Sequence, residues 1–313
     1  PLLSGRGCCF WCCAEPSYGR AKAGNMDFAA IIVIQVLFAI ASLALISLGL
    51  AIIFGMMRVI NFAHGEFLMM GGFTALLLHH AGLNLWLAMF VAAPVVVGIF
   101  GVLVERLIIR PLYGRIFETV LATWGLSPLM IGVASVTVGY YQSSLQTPLG
   151  SVGIGDYRES GYTFFVIAVA VVVLAAVYIG LRYTRFGLLA RGTMQNPEMA
   201  AGLGVNTNTV YAITFFVGSA LSGLAGAVLM PLVSVSPIIG FTYIARAFIT
   251  VIGGGAVALS GTMSASTLFG SISQSVAFIT TPVVGEVALL AAAIILLRLL
   301  PEGITGRYFR RRL

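Results

Sequence analysis

TRFGLLARGTMQNPEMAAGL, residues 184–203, is a polar island between two strongly apolar blocks. Residues 166–181 before it are almost wholly apolar, and so is most of 210–233 after it. With its edges, each block reaches the ~20 residues that a bilayer crossing requires. The island therefore reads as a short amphipathic link between two membrane spans. It carries Arg185, Arg191 and Glu198, followed by Met199-Ala200-Ala201-Gly202-Leu203-Gly204. A link of this kind is not needed to hold a bilayer protein together, so it is a candidate for the place where another protein docks.

The rest of the chain fits that reading. Its 313 residues are 59 % hydrophobic and 9 % charged, and mean hydropathy is +1.04. A soluble surface needs roughly 25 % charged residues, so the expected fold class is all-α: a polytopic helical membrane protein. No ~10-residue units alternate with period 2, which argues against a membrane β-barrel. The net charge of +7 does not point to nucleic acid, because the basic residues gather at the ends of apolar runs, as the positive-inside rule predicts.

Apolar runs predict spans at about 29–56, 67–81, 85–109, 119–140, 162–181, 209–233 and 283–300. Residues 240–281, interrupted by Gly253-Gly254-Gly255 and Ser260-Gly261, predict two short or broken helices, giving about eight or nine spans in all. Basic clusters at 106–115, 182–191 and 298–312 are expected in the cytoplasm, and the polar loop 141–161 outside. An odd span count then places Met26 outside. Residues 1–25 hold all four cysteines (Cys8, Cys9, Cys12 and Cys13) and read as an N-terminal extension apart from one transmembrane domain over 26–313. The C-x-x-C there lacks the second pair that a zinc site needs. Small residues at four-residue spacing, Gly218, Ser222 and Gly226, read as close helix packing.

No enzyme constellation is present. There is no G-x-x-x-x-G-K-[ST] phosphate loop, so no ATP site of that kind. The three histidines, His64, His79 and His80, do not pair with acids at ligand spacing. Three places carry polar groups near spans. Asn61-Phe62-Ala63-His64-Gly65-Glu66 reads either as a re-entrant segment lining a path or as a cytoplasmic turn capped by Asn61. Glu118, Thr119, Thr123 and Trp124 read either as a helix start with an interfacial tryptophan or as hydrogen-bonding groups facing a substrate. Arg246, in an apolar stretch, either snorkels to the interface or faces water, with Glu286 as a possible partner.

At these motifs the chain resembles a known family. SLGLAIIFGMMRVINFAHGE (47–66), the block from Glu105-Arg106 to Arg110-Pro111-Leu112-Tyr113-Gly114-Arg115, and the island resemble the branched-chain amino-acid and urea permeases of ABC importers. Glu118 to Ser127 and Met194 to Ala201 look more like the urea or short-chain-amide branch. Arg246 and the segment 253–261 depart from the family pattern.

The resemblance implies a permease of the inner (plasma) membrane that moves urea or a short amide inward by alternating access, with a branched-chain amino acid as the alternative within the family. It also implies two cytoplasmic ATP-binding subunits, which bind the ATP; a second homologous permease; and an external solute-binding protein. The chain itself carries no cofactor. The island, about 184–208, becomes the ATPase-coupling loop. In it, 192–204 are expected as a short helix with Met199, Ala200 and Leu203 in apolar contact, Glu198 and Arg191 at the rim, and Ala201, Gly202 and Gly204 completing the run. Asn61, His64, Glu66, Thr119, Thr123, Trp124 and Arg246 are the substrate-path candidates. A secondary carrier or a passive urea channel are the rival classes. The first lacks well-placed buried acids beyond Glu66 and Glu286. The second would work alone in liposomes.

Overall fold

The computed structural model describes residues 25–139, 147–154, 157–255 and 258–309. The four cysteines, Arg310, Arg311 and Arg312 and part of the 141–161 loop lie outside the described residues. The chain is an all-α membrane protein. Among the described residues six helices are long and apolar enough to cross a bilayer, and a bent pair makes up to seven. The 17-residue α2 (His64–His80) falls just short of that length. Counting α2, and the bent pair as one span or as two arms, accounts for the eight or nine that the sequence predicts.

Helix α1 (Asn25–Met57) is followed by the turn at Arg58, whose φ is 52°. A continuous helix over Leu85–Leu112 contains α3 (Leu85–Leu87) and α4 (Ala93–Val104), with wide π turns at Ala88–Ala92 and Glu105–Ile109. Each π turn lies just before a proline, Pro94 or Pro111. A proline has no N–H for the preceding turn, and a π turn absorbs the lost bond without ending the helix. Then follow α5 (Ile116–Thr137), the hairpin β1 (Ser151–Ile154) and β2 (Tyr157–Ser160), and α6 (Gly161–Tyr183). The hairpin is antiparallel, with Val152 opposite Glu159.

Helix α9 (Thr207–Leu229) is the centre of the bundle: 61 % of its most apolar stretch is buried, against 17–39 % for the other single spans. Its small residues make that possible. A Cβ on Gly226 would lie 1.9 Å from the Leu68 carbonyl oxygen of α2, and one on Gly71 of α2 would lie 2.1 Å from that of Gly223. The four-residue spacing thus serves packing within this chain, where backbones approach closely.

The bent pair is α10 (Ile239–Gly254) and α11 (Ala258–Ile279), turned by 116° after Gly255 at φ 87°. α12 (Pro282–Leu299) and the short α13 (Gly303–Phe309) complete the fold. A helix that stops at a sharp bend leaves its last carbonyls without partners. Here the Thr305 hydroxyl of α13 donates to the Gly254 carbonyl at 2.6 Å.

Two ends of the bundle can be told apart. At one, the Gln35 amide of α1 donates to Glu159 of the hairpin at 2.8 Å, and Gln274 of α11 donates to Gln35. At the other, Ile52 and Met56 of α1 pack with Ala190, Val210 and Leu259. The start of α1 and the hairpin therefore share one end, while the island and the α10–α11 break share the opposite one. This is the arrangement expected if loop 141–161 and Met26 are outside.

Candidate functional site

After Met57 the chain does not stay at the end of α1. The imidazole Nε2 of His64 donates to the Ile46 carbonyl at 3.0 Å. Ile46 lies 11 residues before Met57, so at 1.5 Å per residue the contact is about 16 Å back along α1. Residues 58–63 therefore run back into the bundle, and α2 starts at mid-depth. Of the two readings of 61–66, this geometry is the re-entrant one, although Asn61 does close a turn there: its Oδ1 accepts from the Ala63 amide at 3.0 Å.

Around this start the structure gathers Asn61, His64, Glu66, Thr119 and Thr123, all buried. The second ring nitrogen of His64 lies 3.3 Å from the Ser222 hydroxyl of α9, so His64 ties α1, α2 and α9 together. Thr123 accepts from the Phe62 amide at 3.2 Å and donates to the Thr119 carbonyl. Ser127 donates to Glu66 Oε1 at 2.9 Å. Glu66 Oε2 and Asn61 Nδ2 are buried with no partner among the described residues. Buried polar atoms are seldom left unpaired without a reason.

A second helix starts at the same place. A Cβ on Gly65 would lie 2.2 Å from the Gly240 carbonyl oxygen, and one on Gly240 would lie 2.6 Å from the Glu66 carboxylate. The first turns of α2 and α10 thus meet, with Glu66 between them. Phe62, partly exposed, stacks on Phe248 of α10 at 5.0 Å between ring centroids.

Two candidates lie elsewhere. Trp124 is 60 % exposed on the outer face of α5, one residue off the buried face that carries Thr119, Thr123 and Ser127. Arg246 pairs with Glu286 of α12, and its guanidinium lies 5.9 Å from the Tyr243 ring centroid. The pair is partly exposed, at 31 % and 41 % of the two side chains. Sequence reading missed Ser127 and Ser222 as site residues. Ser127 has a visible signal, since 119, 123 and 127 fall on one helix face; Ser222 has none beyond its small size.

The island forms two helices where one was expected over 192–204. α7 (Arg185–Gln195) ends at Asn196, with φ −150°, and α8 (Pro197–Gly202) follows. The cause is Pro197, which disfavours the helical state in the residue before it. Asn196 then caps α8, accepting from the Met199 amide at 2.9 Å. α8 ends in a Schellman motif: Val205 N–H donates to Ala200, Gly204 N–H to Ala201, and Gly204 has φ 86°. Met199 and Leu203 are exposed, as are Glu198, Ala201 and Gly202, while Ala200 is buried. Arg191 is exposed and donates to the carbonyls of Gly187, one turn back on α7, and of Arg182 at the α6–α7 corner.

Known proteins resemble the chain over nearly this whole frame. The family described as "Branched-chain amino acid transport system / permease component" matches residues 32–299. The chain is 29 % identical, over 84 % of its own length and 91 % of theirs, to the high-affinity branched-chain amino acid transport system permease proteins LivH of Escherichia coli K12 and BraD of Pseudomonas aeruginosa. A probable branched-chain amino acid transport permease protein LivH of Methanocaldococcus jannaschii is 29 % identical over 84 % of this chain and 88 % of its own. No solved structure matches. With six to seven apolar spans among the described residues and a family match over residues 32–299, the chain belongs to the branched-chain amino acid transport system permease family: a membrane transport subunit and not an enzyme.

Proposed function

We propose that the protein carries a branched-chain amino acid across the inner membrane into the cytoplasm, within an importer powered by two separate ATP-binding subunits, completed by a second permease and fed by an external binding protein. This replaces the urea or short-amide reading. The relatives named above are all described as branched-chain amino acid permeases.

The meeting of two helix starts at Glu66 carries the reading. Discontinuous helices whose N-termini face each other at mid-depth suit a substrate with a carboxylate. The unpartnered Glu66 Oε2 suits its ammonium group, and Phe62 stacked on Phe248 offers an apolar surface beside them. Urea has neither charge nor alkyl group to use these features. Gating follows from α7 and α8: an ATPase that grips the exposed Met199 and Leu203 moves the corner from which α6 and α9 depart, and access changes by rigid-element motion.

The test is uptake by the complex, with its ATPases and binding protein, reconstituted in liposomes. ATP-dependent accumulation of labelled leucine is expected, competed by isoleucine and valine and untouched by excess urea. Accumulation of urea with no effect of any aliphatic amino acid overturns the proposal.

A further inference from the structure

The helix containing α4 and the central α9 are clamped at mid-depth. A Cβ on Gly98 would lie 2.7 Å from the Phe216 ring, and one on Gly101 would lie 2.2 Å from the Ser219 hydroxyl. Toward the basic end of the bundle the two helices part, and a cavity of about 440 Å³ opens between them. That volume falls within the ~300–1,000 Å³ of ligand sites. Its lining is graded: Val102, Ile213 and Phe216 form the deep wall, and Arg106, Arg110 and Asn208 form the mouth.

Arg106 and Arg110 are exposed and make no ion pair or side-chain hydrogen bond among the described residues. The neighbouring acid, Glu105, does not line the cavity; it is fully buried and accepts the Tyr113 hydroxyl. Two free guanidiniums above an apolar trough match one kind of molecule: a phosphate diester with an alkyl chain attached. Guanidinium groups bind phosphate oxygens bidentately, and basic pockets between membrane helices on the cytoplasmic side hold anionic headgroups.

We infer that this groove binds an anionic phospholipid of the cytoplasmic leaflet, with its phosphate between Arg106 and Arg110 and one acyl chain along Val102, Ile213 and Phe216.

The experiment titrates the purified importer complex in zwitterionic detergent with fluorescent phosphatidylglycerol. R106Q/R110Q is expected to weaken binding about 30-fold, from roughly fivefold per arginine, with phosphatidylcholine binding unchanged. R106K/R110K, which keeps both charges, stays within a few-fold of wild type. Ile213→Asn, at a partly exposed position, weakens phosphatidylglycerol while leaving the arginines in place, and it reports on the groove if the double variant does not assemble. Unchanged affinity in R106Q/R110Q overturns the inference, as does equal affinity for phosphatidylcholine. Glycerol 3-phosphate binding as tightly as the lipid would make this a free-anion site, and lipid binding only to permease stripped of its ATPases would make it a protein contact. Either result also overturns the inference.

Discussion

His64 shows how one side chain fixes the site. Its ring reaches Ile46 on α1 and Ser222 on α9 from the first turn of α2, so the re-entrant segment is pinned at one depth. Arg246 has a different standing. Its partner Glu286 and its own side chain are partly exposed, and exposed pairs contribute about 0–1 kcal/mol. Stability alone is then a weak reason for a charge in an apolar stretch. Arg246→Ala is expected to leave the melting temperature of the solubilised complex nearly unchanged while raising the apparent KM for leucine uptake at least about tenfold, the scale of one lost charged hydrogen bond. Exchanging the two residues, Arg246→Glu with Glu286→Arg, separates the roles: assembly is expected to stay intact and uptake to remain impaired. Full uptake in the exchanged variant would make the pair purely structural.

Among the elements, α7 and α8 show what a sequence can reveal and what it cannot. Polarity placed the island between spans, and the Asn-Pro step carries the break that splits it, a local steric rule. The contact of Arg191 with the Arg182 carbonyl was not legible, because it depends on where α6 ends in space. The same holds for α2. The sequence 61–66 shows polar groups beside a span, but their depth is set by a contact between His64 and a residue 18 positions earlier. For α8, Glu198→Lys tests the coupling role. A charge reversal on an exposed helix usually moves stability by less than about 0.5 kcal/mol, so the variant is expected in the membrane at wild-type amounts with ATP-driven uptake abolished. Normal uptake by that variant removes α8 from the coupling path.

For the whole molecule, the apolar runs and arginine clusters made most spans and both ends legible, since bilayer thickness and charge placement act on sequence directly. What stayed hidden was how the spans nest. Close contacts such as Gly226 on Leu68 depend on which helices become neighbours, and spacing does not specify that. Orientation is directly measurable, because beyond Cys13 the chain has no cysteine. In a variant with the four native cysteines replaced by serine, Val152→Cys in the hairpin is expected to react with a membrane-impermeant maleimide on intact cells. Met199→Cys in α8, expressed without the ATP-binding subunits, is expected to react only after permeabilisation. Both positions are exposed, at 47 % and 62 %, so an inverted pattern would mean an inverted protein.

The Thr305–Gly254 hydrogen bond spans 51 residues, and it sets an order of events during synthesis. The break after α10 leaves the ribosome first; the group that satisfies its carbonyl follows roughly 3–10 s later at ordinary elongation rates. Over that interval the last carbonyls of α10 lack that hydroxyl. Docking of α13 onto the α10–α11 corner is thus expected to be a late step in the biogenesis of this permease.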